Sequence, residues 1–375
     1  MSKMLSEYNT GRDNNFNLIR FIAASLVLYS HCFPLAIGIG PSLPEEPLSV
    51  FLGITLSSIA VDIFFITSGF LICASLYRTS SLKSFFWARV LRIYPALIVA
   101  VLFSVFCVGL YFTSLPFAEF ISDKQTLKFL YKNTTLLTGT VSSLPGVFTD
   151  NPFPGVVNGS LWTLPYEVKM YIALTLIAGA FTAIQKRIHS EKFTTYGFTI
   201  LAGLSLVGHI INHFHEFTSV NTLRFFATFF IGAAFYLNRK KIIMSAKIHW
   251  ILISILLLST LNTATFFIAF YVILPYLVFY FAYVPSGKIR SFNKFGDYSY
   301  GMYIYAFPIQ QIIAATIKNL SVMSMLAMSF LATLAMAYLS WQLIEKNCLK
   351  LKPKAARKPL PEKMAILSGQ RVANE

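Results

Sequence analysis

Apolar residues gather into runs of about twenty along this 375-residue chain, separated by shorter polar segments. About 20 apolar residues in a helix are enough to cross the ~30 Å hydrocarbon core of a membrane. The pattern therefore predicts an all-α polytopic membrane protein with about ten transmembrane helices. We place them at residues 16–37, 56–77, 93–113, 161–184, 195–211, 222–237, 248–263, 265–284, 297–317 and 321–345.

The composition supports a membrane protein. Hydrophobic residues make up 56% of the chain and charged residues 12%, with a mean hydropathy of +0.63, whereas soluble domains carry about 25% charged residues. The first fifteen residues are polar, and the run that begins at Phe16 continues as a full span. We therefore expect a permanent first helix and no cleavable signal peptide. One membrane domain, 1–350, is predicted, followed by a basic cytoplasmic tail, 351–375.

Positive charges are distributed unevenly between the two sides of the predicted helices. If the N-terminus is cytoplasmic, 24 of the 31 lysines and arginines lie on the cytoplasmic side. The positive-inside rule then predicts that both termini are cytoplasmic. We interpret the net charge of +16 as this bias plus a tail that binds anionic lipids, so nucleic acid is not an expected partner. The four cysteines form no CxxC pair, which predicts neither a disulfide framework nor a zinc site.

The first predicted helix, within NLIRFIAASLVLYSH, contains Arg20 and His31. Eleven residues correspond to about three turns plus ~20° and a rise of ~16 Å, so both side chains lie on one helix face. Ionisable groups inside membrane helices usually face a protein interior or a wet cavity and are candidates for function. The alternative is a snorkelling arginine and an interfacial histidine.

Two carboxylates lie inside other predicted helices. Asp62 precedes Ser68 in AVDIFFITSGFLI, and Glu167 follows Trp162 in GSLWTLPYEVKMY. A membrane carboxylate needs a cation or several hydrogen-bond donors, so ion pairing with Arg20 or another buried cation is the structural alternative for Asp62. We expect Glu167 near the depth of His31, where a carboxylate orients an imidazole and raises its basicity. An interfacial ion pair with Lys169 or Arg224 is its alternative.

Arg89 and Arg92 lie at the inner membrane entry, in FFWARVLRIYP. Residues at positions i and i+3 share a helix face. Two guanidinium groups on one face suit a polyphosphate, since each binds phosphate oxygens in a bidentate manner. Ordinary positive-inside anchoring explains the pair equally well.

Two further groups carry weaker signals. Tyr300 and Tyr303 share a face of the ninth predicted helix and are candidates to line a cavity. His209 and His213 have metal-ligand spacing, but no ligand set is completed around them, so we expect no metal site.

The order of these motifs resembles the acyltransferase type 3 family of integral membrane O-acyltransferases. The resemblance covers about residues 14–350 and includes Arg20-x10-His31, the segments quoted above, GDYSYGMYIYAFPI and the closing glutamate Glu345. Many members have a histidine where this chain has Ala306 and a second acidic residue where it has Val168. Roles assigned to those two positions do not carry over.

The resemblance implies an acyl-CoA donor on the cytoplasmic side and, as acceptor, the sugar hydroxyl of a surface or lipid-linked glycan. It implies a location in the bacterial inner membrane. His31 matches the essential histidine, Arg20 its paired basic residue, and Arg89 and Arg92 the pair near the donor phosphates, with which we group Ser68. Acetyl-CoA is then a substrate, and no tightly bound cofactor is expected.

Together these features predict an O-acetyltransferase in which His31 is the general base and Glu167 or Asp62 holds its tautomer. Trp162, Tyr300 and Tyr303 would line the substrate cavity. The main alternative is a proton-coupled transporter of a lipid-linked glycan or small solute, and a second is a binding subunit of a polysaccharide complex. The acceptor sugar, the identity of the short acyl group, direct transfer against an acyl-enzyme, and the oligomeric state are left open.

Overall fold

Ten long helices dominate the structure, a computed structural model that describes residues 2–9, 11, 13–79 and 81–352. About 75% of the chain is helical, which confirms the predicted class. Each predicted span coincides with one helix. In chain order, α1 to α10 are Phe16–Ile37, Leu56–Arg78, Leu82–Phe112, Leu164–Arg187, Phe193–His215, Val220–Leu237, Ala246–Ser259, Thr263–Tyr283, Ser299–Thr316 and Val322–Leu349.

Eight of these helices are long and apolar enough to span a membrane, within the part of the chain that the structure describes. The sequence predicted ten membrane-spanning helices, and the two that do not meet this criterion are α7 and α9. α7 has only 14 residues. α9 is enclosed by protein along most of its length and includes the buried glutamines Gln310 and Gln311. A helix that faces protein on all sides does not need a lipid-compatible surface, so its hydropathy is lower. The cytoplasmic location of both termini stays a prediction.

α3 begins eleven residues earlier than predicted, at Leu82 instead of residue 93. The sequence-based boundary followed the loss of charge, but the helix continues through the basic segment with Phe85 buried against the bundle. Arg89 and Arg92 therefore lie on one helix, α3, although both precede the predicted start of this span. Near its C-terminal end the helix widens into a π-helical stretch, Phe103–Gly109.

Short elements close the two ends of the bundle. At the N-terminus, β1, Lys3–Met4, pairs antiparallel with β2, Ile243–Met244, with Lys3 opposite Met244, and the short helix Leu5–Tyr8 follows β1. The short helix Pro47–Leu52 lies between α1 and α2, and Phe117–Ser122 and Lys124–Thr135 lie between α3 and α4. The Gly/Pro/Asn-rich stretch before α4 is irregular, as predicted, and packs on α9 through the Asn151 side chain, which donates to Gln311 Oε1 at 2.7 Å. The segment 353–375 of the predicted tail lies outside the described residues.

α1 is at the centre of the bundle, against α2 on one side and α9 and α10 on the other. α2 packs along α6, and α9 packs along α10. The helix that carries Arg20 and His31 is therefore flanked by α2 and α9, which supply most of the cavity walls described below.

Two glycines set the close approach of α2 and α6. A Cβ atom added to Gly69 would lie 1.9 Å from the carbonyl oxygen of Phe229, and one added to Gly232 would lie 2.1 Å from that of Ile66. Small residues at helix contacts allow backbones to approach closely in membranes, where packing replaces the hydrophobic effect as the driving force. Phe65 and Phe225 stack across the same contact with ring centroids 4.2 Å apart.

We predict that Gly69→Ala and Gly232→Ala each destabilise the protein by separating α2 from α6. Overpacking a close contact costs about 1–3 kcal/mol or more, so the melting temperature in detergent should fall by several degrees. Gly179→Ala is the matched control, because a Cβ at this helical glycine meets no atom within 4 Å. Equal melting temperatures for the three variants would contradict the role given to the two glycines.

Candidate active site

Arg20 and His31 both reach the protein interior from one helix, as their spacing predicts. Arg20 lines a cavity of about 50 Å³, here called the inner cavity. His31 lines a second one of about 60 Å³, the central cavity. Val61 and Tyr303 are in the walls of both. The residues that line the inner cavity include Arg20, Val61, Ser68, Glu167, Ser299, Tyr300 and Tyr303; those of the central cavity include Val27, His31, Ser58, Val61, Ser160, Trp162, Arg224 and Tyr303.

His31 also lines a larger pocket of about 320 Å³ toward the other end of α1, here called the outer pocket. The segment between α1 and α2 forms much of its wall, including Glu45, which is exposed, and Glu46, which is buried. Ser30 donates a hydrogen bond to Glu46, and the Leu56 amide donates to the same carboxylate at 2.6 Å. His31 therefore stands between the central cavity and the outer pocket.

The imidazole of His31 makes no hydrogen bond to the described residues. Its Nδ1 is buried, and within the described part of the chain neither ring nitrogen has a hydrogen-bond partner. The Phe307 ring packs edge-on against it with centroids 5.3 Å apart. An unpaired buried nitrogen is costly unless water or a ligand satisfies it. The buried Nδ1 of His31 is therefore available to water or to a ligand.

A network of four charges closes the inner end of the same helix. Asp297 Oδ2 accepts hydrogen bonds from Arg20 Nη1 at 2.9 Å and from Arg92 Nη2 at 2.6 Å. Arg92 Nη1 donates to Glu345 at 3.3 Å, and Ser299 Oγ donates to the second oxygen of Asp297 at 2.5 Å. Sequence reasoning missed Asp297, although GDYSYG stands within a motif that it used. Arg20 is thus paired with a carboxylate as well as lining a cavity.

Arg89 is the arginine of this region without a carboxylate partner among the described residues. Its Nη2 donates a long hydrogen bond of 3.4 Å to Ser75, and its buried Nε has no partner. Its guanidinium lies over the Phe85 ring, 5.5 Å from the centroid. The two arginines predicted to bind a polyphosphate therefore differ. Arg89 has free donors for an anion, whereas Arg92 has few, because Asp297 and Glu345 already bind it.

Glu167 lies farther inward than the sequence suggested. It accepts hydrogen bonds from Ser68 at 3.3 Å and from Tyr171, and it lines the inner cavity. The structure gives it no hydrogen bond to His31. The physical reason is its position: Trp162 reaches the central cavity, and Glu167 follows five residues later, about 7 Å farther along the helix.

Asp62 pairs with Arg224 and makes no contact with Arg20. Arg224 Nε donates to Asp62 Oδ1 at 2.8 Å and its Nη2 to Oδ2 at 3.0 Å, while Nη2 also donates to the Ser58 carbonyl at 2.6 Å. This is the buried-cation alternative expected for a membrane carboxylate. Sequence reasoning considered Arg224 only as an ion-pair partner of Glu167, whereas in the structure it pairs with Asp62 and lines the central cavity with His31.

The two predicted cavity tyrosines occupy the expected wall. The Tyr303 hydroxyl and that of Thr163 are 2.6 Å apart, and the Tyr300 hydroxyl donates to the Ile93 carbonyl at 2.9 Å. The histidine pair of α5 has a packing role: His213 stacks on Phe267 at 3.6 Å, and His209 packs edge-on against Tyr271. The described residues include no group of three or more His, Cys, Asp or Glu side chains placed to hold a metal ion.

This arrangement suits a reaction between partners that arrive from opposite ends of α1. Arg20 lines the inner cavity, and its partner Asp297 also binds Arg92. The outer pocket carries carboxylates and hydroxyls. Between them lies an unpaired imidazole.

Comparison with known proteins is consistent with this geometry. A family model described as an acyltransferase domain matches residues 13–342. The chain is 30% identical over 351 residues to a protein of Shigella phage Sf6 named O-acetyl transferase, covering 90% of this chain and 96% of that protein. It is 28% identical over 373 residues to Nodulation protein 10 of Rhizobium leguminosarum bv. viciae, covering 92% and 96%. No solved structure matches the chain.

Proposed function

We propose a reaction for this chain from the premise that it belongs to the acyltransferase family whose model spans residues 13–342. It is a multi-pass membrane O-acetyltransferase that transfers an acetyl group from acetyl-CoA to a sugar hydroxyl of a surface or lipid-linked glycan. The observation that supports this proposal most strongly is the position of His31. Its unpaired imidazole lines both the central cavity and the outer pocket. The family membership favours this reaction over the transporter that the sequence left as an alternative. The bacterial inner membrane is its proposed location.

The donor enters at the arginine-bordered end, on the cytoplasmic side. Arg89 has guanidinium donors free for a diphosphate, while Arg20 and Arg92 keep the surroundings positive although Asp297 engages both. The rise of ~16 Å between Arg20 and His31 is comparable with the length of an extended pantetheine arm. Ser68 and Glu167 line the path of this arm in the inner cavity.

The acceptor enters through the outer pocket. Carboxylates and hydroxyls there, from Glu45, Glu46 and Ser49, offer hydrogen-bond acceptors for the hydroxyl groups of a sugar. His31 removes the proton of the attacking hydroxyl as the oxygen bonds to the thioester carbon. It then gives that proton to the departing CoA thiolate, so the transfer is direct and leaves the histidine neutral.

Asp62 and Glu167 act as positioning residues in this account. Asp62 holds Arg224 in the wall of the central cavity. Glu167 fixes Ser68 and Tyr171 along the donor path. Neither carboxylate contacts the imidazole of His31. The hydrogen-bond partner of His31 in this account is therefore the reacting hydroxyl and not a carboxylate.

We predict that His31→Ala lowers acetyl transfer by about 10²–10⁴-fold, the usual contribution of a general base, while acetyl-CoA still binds. The measurement is transfer of labelled acetyl groups from acetyl-CoA to a panel of alkyl glycosides by protein in nanodiscs. His249→Ala is the matched control, because His249 of α7 also has a buried unpaired Nδ1 but stacks on Tyr280 of α8, away from the three cavities. Wild-type turnover in His31→Ala, or no transfer to any glycoside by folded wild-type protein that binds acetyl-CoA, would contradict the proposal.

We predict that Arg89→Ala raises the KM for acetyl-CoA by roughly tenfold or more, since a charge-assisted hydrogen bond contributes about 1.5–3 kcal/mol. The KM for the glycoside should stay unchanged. Arg187→Ala, at the exposed inner end of α4, removes the same charge away from the cavities and serves as the control. An equal rise of both KM values in Arg89→Ala would count against a phosphate-binding role.

A further inference from the structure

Two buried polar atoms without partners and one arginine line the central cavity. The two atoms are His31 Nδ1 and Ser160 Oγ. The arginine is Arg224, which bonds Asp62 and the Ser58 carbonyl through Nε and Nη2 only, and all three residues line the cavity of about 60 Å³. The proposed function uses only the first. A cavity of this size accepts a small group, and buried polar atoms that lack protein partners require water or a ligand.

Ser160 is held rigidly, but its hydroxyl is unused. The residue is 1% exposed, and its Oγ has no hydrogen-bond partner in the part of the chain that the structure describes. Its amide donates to Asn158 Oδ1 at 3.1 Å, and the Asn158 side chain in turn donates to the Ile304 carbonyl of α9 at 2.9 Å. The preceding residue, Gly159, packs on the Phe307 ring so closely that a Cβ would lie 2.6 Å from it. The loop is therefore fixed against α9 while its hydroxyl stays available.

Arg224 is held equally firmly from one side. Asp62 and the Ser58 carbonyl accept hydrogen bonds from Nε and Nη2, and the Tyr271 hydroxyl is a further hydrogen-bond neighbour of this ion pair. The hydrogen bonds to Asp62 and Ser58 do not use Nη1. The side chain is 11% exposed, so a largely buried guanidinium whose Nη1 is not used by Asp62 stands in the wall of the central cavity.

We propose that Ser160 Oγ and Arg224 Nη1 form the oxyanion-binding site of the acetyl transfer, an inference that rests on the proposed function. When the acceptor oxygen bonds to the thioester carbon, the carbonyl π electrons move to its oxygen, and His31 takes the hydroxyl proton. The two donors stabilise the negative oxygen. The C–S bond then breaks, the carbonyl re-forms, and the thiolate of CoA takes the proton from His31. Donors fixed before the reaction stabilise such an oxyanion without reorganisation.

If Arg224 is an oxyanion donor, the Asp62–Arg224 ion pair also has a role in the reaction. An ion pair buried in a membrane protein costs desolvation that apolar side chains would avoid. Asp62 binds two of the guanidinium nitrogens, and the third is then oriented by the planarity of the group. Asp62 is thus a positioning residue for the oxyanion donor.

The test is the infrared frequency of the thioester carbonyl in bound acetyl-CoA labelled with ¹³C at that carbon. Donors aimed at the oxygen polarise the bond and lower its stretching frequency relative to acetyl-CoA in water. We expect this lowering in wild-type protein and in His31→Ala, and a partial loss of it in Ser160→Ala and in Arg224→Lys. Ser104→Ala, a buried serine of α3 away from the cavities, is the control and should match wild type.

Kinetics provides the second readout, with the alkyl glycosides and with water as acceptors. Ser160→Ala should lower kcat by about 100-fold, the usual cost of losing one oxyanion donor, with KM for acetyl-CoA within twofold of wild type. Because Ser160 Oγ has no protein partner, this variant should fold normally even if Arg224→Lys does not. The proposal is overturned if Ser160→Ala keeps the wild-type carbonyl frequency or the wild-type kcat. If the frequency shift is present but His31→Ala turns over normally, the general base fails and the oxyanion site stands.

Discussion

Asp297 holds two arginines from two different helices, and the inner end of the site depends on this contact. Its carboxylate accepts hydrogen bonds from Arg20 of α1 and Arg92 of α3, and Arg92 continues the network to Glu345 of α10. Charges in a membrane protein are stable only when partners within the protein compensate them. The pairing fixes α1 relative to α3 and α10, and therefore fixes the depth at which His31, eleven residues farther along α1, meets the central cavity.

A second buried pair, Asp62 with Arg224, has the corresponding role toward the outer end. It joins α2 to α6, whose close contact is made possible by Gly69 and Gly232. The two ion-pair systems determine which arginine N–H groups remain free to bind a ligand. Carboxylates bind both amino groups of Arg92, whereas Arg89 has a buried Nε without a partner and Asp62 leaves Nη1 of Arg224 unused. We assign donor binding to Arg89 and oxyanion stabilisation to Arg224 because both keep N–H groups that no carboxylate binds, and not because they are charged.

Much of the fold was predictable because its signals are local. Runs of apolar residues located all ten helices, and an eleven-residue spacing placed Arg20 and His31 on one interior face. Pairing partners were not predictable, since Arg20 and Asp297 are 277 residues apart in the chain and Asp62 and Arg224 are 162 apart. Periodicity gives the face of a helix but not its neighbour. For the same reason, Glu167 was expected beside His31, whereas packing places it beside Ser68 in the inner cavity.

The structure of this protein with an acetyl-CoA analogue in which a methylene group replaces the thioester sulfur tests the central claim most directly. The account predicts phosphate groups of the analogue against Arg89 and its acetyl carbonyl in the central cavity. The carbonyl oxygen should point toward Ser160 and Arg224, and one hydroxyl oxygen should fit between the carbonyl carbon and His31. An acetyl group bound outside the central cavity, with His31 out of reach of any attacking hydroxyl, would contradict the account.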